Sequence, residues 1–210
     1  MTRIAAIILL LTGIALPTAI GLIQPDYSAS ASYLSELGAD GAAYNQLVTY
    51  GAFLPVALAS AFILAIRLAA PGEAITARIG LGLLFAIPIG YLGAVVFPCL
   101  PGCPVPGTGR QALHNTAGII EYLGGMAGFA MLASIALRRG TRLMRWVTPP
   151  ATLAFIVGIV LAADPAWAGY KGAFQRLADY SAFIWIAIAG WTGPIAPTAP
   201  RYPAGETPPD

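Results

Sequence analysis

Six stretches of this chain are almost wholly apolar: residues 4–23, 44–66, 79–97, 112–137, 146–163 and 180–196. A helix needs roughly 20 mostly apolar residues to cross the hydrocarbon of a bilayer. Each stretch reaches that length or comes close to it, the last two being the shortest. Charged residues make up only 10% of the 210, against about 25% in soluble domains, too few to build a water-facing surface. The expected fold is therefore all-α: a polytopic integral membrane protein with one six-helix transmembrane bundle over residues 1–197. A Pro-rich polar segment, 198–210, is expected to be a disordered cytoplasmic tail. The first apolar stretch follows Arg3, but its length and Pro17 fit an uncleaved first helix better than a signal peptide.

Arginine and lysine set the expected orientation. With the N-terminus inside, the inner segments hold Arg3, Arg67, Arg78, Arg138, Arg139, Arg142, Arg145 and Arg201. The outer segments hold only Arg110, Lys171 and Arg176. Both termini then lie inside, and the expected location is a bacterial cytoplasmic (inner) membrane. Membrane lipids are the expected partners. No basic run interleaved with aromatics is present, so no nucleic-acid partner is expected.

The second outer segment, "FPCLPGCPVPGTGRQALH", holds both cysteines and the only histidine. On the oxidising side of the membrane, Cys99 and Cys103 are expected to form one local disulfide pinning a Pro/Gly turn. Redox catalysis is the rival. Its usual motif is Cys-X-X-Cys, however, and no second pair is present to pass electrons on. Cys99, Cys103 and His114 could supply three metal ligands, but their spacing matches no common zinc pattern. No metal and no cofactor is expected.

Seven residues separate His114 from Glu121, so the two share a helix face with Gly118 between them. Glu121 then lies about 10 Å deeper. An acid at that depth should face the bundle interior and have a partner. Arg176, an outer arginine, could hold it with two parallel hydrogen bonds. Tyr44, Asn45, Tyr91, Asp164, Asp179 and Tyr180 are further candidates. The expected site is an outward-facing polar cavity lined by Glu36, Asn45, His114, Glu121 and Arg176, with Asp26 on its margin. In the first outer segment, Ser32 and Glu36 come close to a capping box at the start of a short helix. Gly118, Gly124, Gly125 and Gly128 are read as close-packing positions between helices.

Three segments together carry a resemblance: "YSASASYLSELGAD", "FPCLPGCP" followed by His114, and "GAFQRLADYSAFIW". As an ordered set they resemble a bacterial and archaeal six-span membrane family known as domain of unknown function 998, over Tyr27 to Trp185. The family's Ser-Glu-Leu-Gly segment is matched by Ser35, Glu36, Leu37 and Gly38. Its cysteine loop and histidine are matched by Cys99, Cys103 and His114, with Leu100 where an acid is often found. Its Gly-x-x-Glu-Arg segment is matched by Gly172 and Arg176, with Gln175 in the acid's place. The resemblance implies the fold and topology, and the family has no assigned reaction. At the level of fold the chain is also similar to a wider group of six-span eukaryotic membrane proteins linked to lipid handling.

Three functions are compatible with these residues. The first is binding of a lipid-like or small anionic ligand in the outward-facing cavity. The second is a membrane-embedded lipid-modifying enzyme, with His114 as general base and Glu121 as general acid. The third is an accessory or structural subunit without a small ligand.

Overall fold

The computed structural model describes residues 1–197; the expected tail, 198–210, lies outside the described residues. Six long helices follow in order: α1 (Thr2–Ile23), α2 (Asn45–Ala69), α3 (Ile75–Val96), α4 (Arg110–Arg139), α5 (Arg142–Ala163) and α6 (Lys171–Trp191). No strand occurs among the described residues. Five of the six, α1 to α5, are long and apolar enough to cross a membrane. The fold is an all-α polytopic membrane protein. Its outer surface agrees, with Ile4, Leu11, Leu22, Leu58, Leu123, Leu153 and Trp146 all exposed. Helices suit this setting because they satisfy every interior backbone donor and acceptor within the segment.

Prolines shape the helices without ending them. Pro17 and Pro55 each follow a widened π segment, Leu11–Ala15 in α1 and Thr49–Phe53 in α2. A proline ring clashes with the carbonyl four residues earlier and offers no N–H. In both helices the residue four back is a glycine, Gly13 or Gly51, inside the widened turn. The fifth helix begins four residues before the apolar stretch 146–163 that marks it in the sequence. The helix starts at Arg142, capped by Thr141, whose hydroxyl accepts the Met144 N–H at 3.4 Å. Pro149 and Pro150 therefore lie in its third turn.

The largest correction concerns α6, expected over 180–196 and found over Lys171–Trp191. Its first half carries Lys171, Arg176 and Asp179, so an apolar window misses it. This half can be polar because its Asp179 and Gln175 face the protein, where α6 packs on α5, α1 and α2 and the Tyr91 and Tyr122 hydroxyls meet them. Asp179, Ala182, Phe183, Trp185 and Ile186 are all buried. After Thr192 the chain turns extended, and Ile195 and Ala196 donate their N–H groups to Glu73 at 3.0 and 2.8 Å. Glu73 also accepts from Arg67 at 2.8 Å, with both side chains buried. The turn before α3 thus holds a buried ion pair closing one end of the bundle.

The other end is formed by the three segments that follow α1, α3 and α5. The Asp40 N–H donates to the Cys99 carbonyl at 3.0 Å, and Arg110 pairs with Asp40. Ala173 N–H donates to the Ser30 carbonyl at 3.0 Å. These bonds gather the segments over one end, called here the disulfide end.

Candidate functional site

Cys99 and Cys103 are joined by a disulfide, with Cα atoms 5.2 Å apart, and both are buried. The turn between them uses the left-handed region at Gly102 (φ 76°) and Cys103 (φ 43°). The start of α4 holds this loop in place. Gln111 accepts the Leu100 N–H at 2.7 Å and donates to Asn115, which in turn donates to the Pro104 carbonyl at 3.1 Å. His114 stands beside the disulfide, its ring nitrogen and the two sulfurs within 4.8 Å of one another. A metal there would need two thiolates, which the disulfide removes.

His114 Nδ1 lies 2.8 Å from the Phe97 carbonyl oxygen. A carbonyl can only accept, so Nδ1 carries the proton and Nε2 of the neutral ring keeps its lone pair. Below it on α4, Gly118 and Glu121 face the same space. All three line a cavity of about 510 Å³ at the disulfide end. Its walls come from the first connecting segment (Tyr33, Leu34, Ser35), α3 (Gly90, Tyr91, Ala94), α4, the end of α5 (Ile159, Ala162, Ala163) and the start of α6 (Lys171, Gln175). Gly118 was read as a packing glycine, yet nothing but Tyr122 comes within 4 Å of where its Cβ would be. It gives the cavity room. Gly124, Gly125 and Gly128 do pack closely, against Ala86, Phe155 and Leu84.

Glu121 is 6% exposed and accepts no hydrogen bond among the described residues. Its carboxylate rests directly against Gly90, where any Cβ would overlap it. Asp179 is 2% exposed. Tyr91 donates its hydroxyl to Asp179 Oδ2 at 3.1 Å, and Oδ1 has no partner among the described residues. Tyr91 also stacks edge-on between Phe53 and Phe183, at 5.5 and 5.3 Å, which fixes the hydroxyl's direction.

The structure does not bring Arg176 to Glu121. The guanidinium points into the first connecting segment. It donates to the carbonyls of Ala29 (2.7 Å), Ser32 (3.2 Å) and Gly172 (3.0 Å) and to the Tyr27 hydroxyl. It lines no part of the cavity. Glu36 is also outside the cavity. It accepts the Tyr33 N–H at 2.8 Å and pairs with Lys171 at 3.6 Å. The short helix Leu34–Gly38 is therefore capped from Tyr33, not from Ser32. Asn45 begins α2 half-buried and away from the cavity, and Asp26 is an exposed turn residue with φ 55°.

Sequence reasoning did not find Tyr122 or Gly90, and it noted Gln175 only as standing in an acid's place. Gln175 Oε1 accepts the Leu34 N–H at 2.6 Å while Nε2 donates to the Tyr122 hydroxyl at 2.7 Å. An amide can accept at one atom and donate at the other, which an ionised carboxylate cannot. Its spacing of four residues from Asp179 on α6 was the available signal. Outside the helices, burial raises the phenol pKa of Tyr27 above its ordinary value, with the Arg176 charge opposing; burial raises that of Tyr33 too, with Glu36 adding to it.

No curated protein and no solved structure matches the chain. A family model described as protein of unknown function (DUF998) matches residues 4–192, nearly the whole length, and the chain belongs to that family.

Proposed function

We propose that this protein crosses a bacterial cytoplasmic membrane six times, with both termini inside, and binds a lipid-like molecule in its outward-facing cavity. The charge bias of the sequence supports this orientation, since the disulfide end is poor in arginine and lysine. The observation that carries the binding reading is the cavity of about 510 Å³, mostly apolar and lined by a buried Glu121 without a partner among the described residues. A mostly apolar cleft with a few placed polar groups is the usual form of a small-molecule site. Ile119 is exposed where the wall of the cavity meets the lipid-facing surface, which gives a chain a path from the bilayer. A small anionic ligand has less support, because Arg176 is engaged elsewhere.

The test is native mass spectrometry of gently extracted protein. A retained non-protein mass, lost in folded Glu121→Gln protein, is the expected result. A bare wild-type protein, unchanged after adding back total membrane lipid, would refute the reading and favour an accessory subunit. One observation favours an enzyme instead: the fixed Nδ1–H tautomer of His114 leaves Nε2 free to act as a base within the cavity. In that case His114→Gln would abolish turnover of bound lipid while leaving its retention intact.

A further inference from the structure

The cavity's charge is one-sided. Glu121 is aimed into it, nine-tenths buried, with neither a hydrogen bond nor an ion pair among the described residues. Asp179, bonded to the cavity-lining Tyr91, has one oxygen without a partner among the described residues. A carboxylate buried as Glu121 is remains costly unless it is protonated or a positive group joins it. No side-chain cation of the described chain forms an ion pair with Glu121. Lys171, the one lysine at the cavity, sits at its rim between Glu36, 3.6 Å away, and the Tyr33 ring, 4.1 Å from its centroid. Arg176, one turn before Asp179, directs its guanidinium to three backbone carbonyls and Tyr27.

The rest of the wall is aromatic. Tyr33, Phe53, Tyr91 and Tyr122 all face the same space. Aromatic faces attract ammonium groups, most strongly where water is excluded. The rim already shows this pairing in Lys171 over Tyr33. A phosphate or carboxylate at the same depth would meet the Glu121 carboxyl and no free cation among the described residues.

We propose that the ligand is an amphipathic amine, with its ammonium group against Glu121 among the aromatic rings and its alkyl chain along Ala94, Ile119 and Ile159. This rests on the lipid-like ligand reading and adds the headgroup charge. The ammonium supplies the counter-charge that the chain itself withholds from Glu121, and the same arrangement excludes acidic lipids.

The test uses the full chain in a neutral maltoside detergent and three probes of equal chain length: octyltrimethylammonium, octyl phosphate and octanol. Equilibrium dialysis measures binding of each. The expected result is one site that takes octyltrimethylammonium about tenfold or more tighter than octyl phosphate. Glu121→Gln should bring the probes to within about threefold of one another, whereas Lys171→Met should keep the preference. If the wild type binds none of the three, the lipid-like reading fails and this proposal with it. If octanol or octyl phosphate binds as tightly as the ammonium, the cavity reading stands and the amine assignment is overturned. A preference that survives in folded Glu121→Gln protein also overturns it. The wild-type comparison decides the matter even if the variant does not fold.

Discussion

Replacing Arg176 with alanine should free the first connecting segment from α6 rather than empty the cavity. The guanidinium makes four hydrogen bonds, three to backbone carbonyls of Ala29, Ser32 and Gly172 and one to the Tyr27 hydroxyl. A hydrogen bond from a charged donor is worth about 1.5–3 kcal/mol when buried and less where water can replace it. Arg176 is half-buried, and the Gly172 carbonyl lies within its own helix. Counting about 1 kcal/mol for each of the other three gives about 3 kcal/mol. That is roughly a hundredfold in the local opening equilibrium. Hydrogen exchange should read it directly: amides of residues 27–34 should exchange about a hundredfold faster, while those of α2 and α5 change little. Arg176→Lys keeps the charge but reaches one carbonyl at most, so it should recover only about tenfold. If Arg176→Ala left exchange over 27–34 unaltered and instead abolished ligand binding, the assignment of Arg176 to the segment would be wrong. The site expected from the sequence, with Arg176 inside it, would then be the right one.

Four further outcomes follow from the geometry. Gly90→Ala places a methyl group on the Glu121 carboxylate and should cost about 1–3 kcal/mol by overpacking; thermal melts should show it, with Gly82→Ala, which meets nothing within 4 Å, as the neutral control. Changing Cys99 and Cys103 together to serine reopens a short loop and should cost about 2 kcal/mol, again read by melting, while ligand retention persists. Arg67→Ala leaves Glu73 buried without its cation and should cost about 3–5 kcal/mol, the largest loss among these variants by melting. Burial raises the folded pKa of Tyr27 above its ordinary value of about 10, so its contribution is complete below that value and is lost as pH rises through the folded pKa. Melting temperature should therefore fall above about pH 10, and fall less steeply in Tyr27→Phe.

Much of this was legible in the sequence, and the misses have physical causes. Helices α1 to α5 were visible because their lipid-facing sides must be apolar, and only a few residues at their ends were misjudged. Helix α6 was misplaced because it faces protein. There, polar residues such as Asp179 and Gln175 can be satisfied by neighbours that a hydropathy window cannot see. The pairing of His114 with Glu121 on one wall was readable from helical spacing alone, and the disulfide from two cysteines sharing one short outer segment. What spacing could not supply was direction across the bundle. Charge complementarity suggested Arg176 for Glu121, yet backbone carbonyls of a nearby segment took the guanidinium instead. Uncharged acceptors leave no trace in a search for opposite charges. The Arg67–Glu73 pair was missed for the opposite reason, since two charges six residues apart across a turn look like ordinary solvated surface.

The Glu73 carboxylate also dictates an order of assembly. Its first donor, Arg67, is made before it, but its two backbone donors, Ile195 and Ala196, lie 122 and 123 residues further along the chain. A nascent chain holding only the first five helices therefore keeps an acid lacking two of its three hydrogen-bond donors at this end. The same late segment accepts the Ala74 and Thr141 N–H groups, at 3.0 and 3.1 Å, so two turns synthesised early also wait for it. Insertion of the helices and locking of the bundle are then separate events, and the lock is delivered by the last described residues to leave the ribosome.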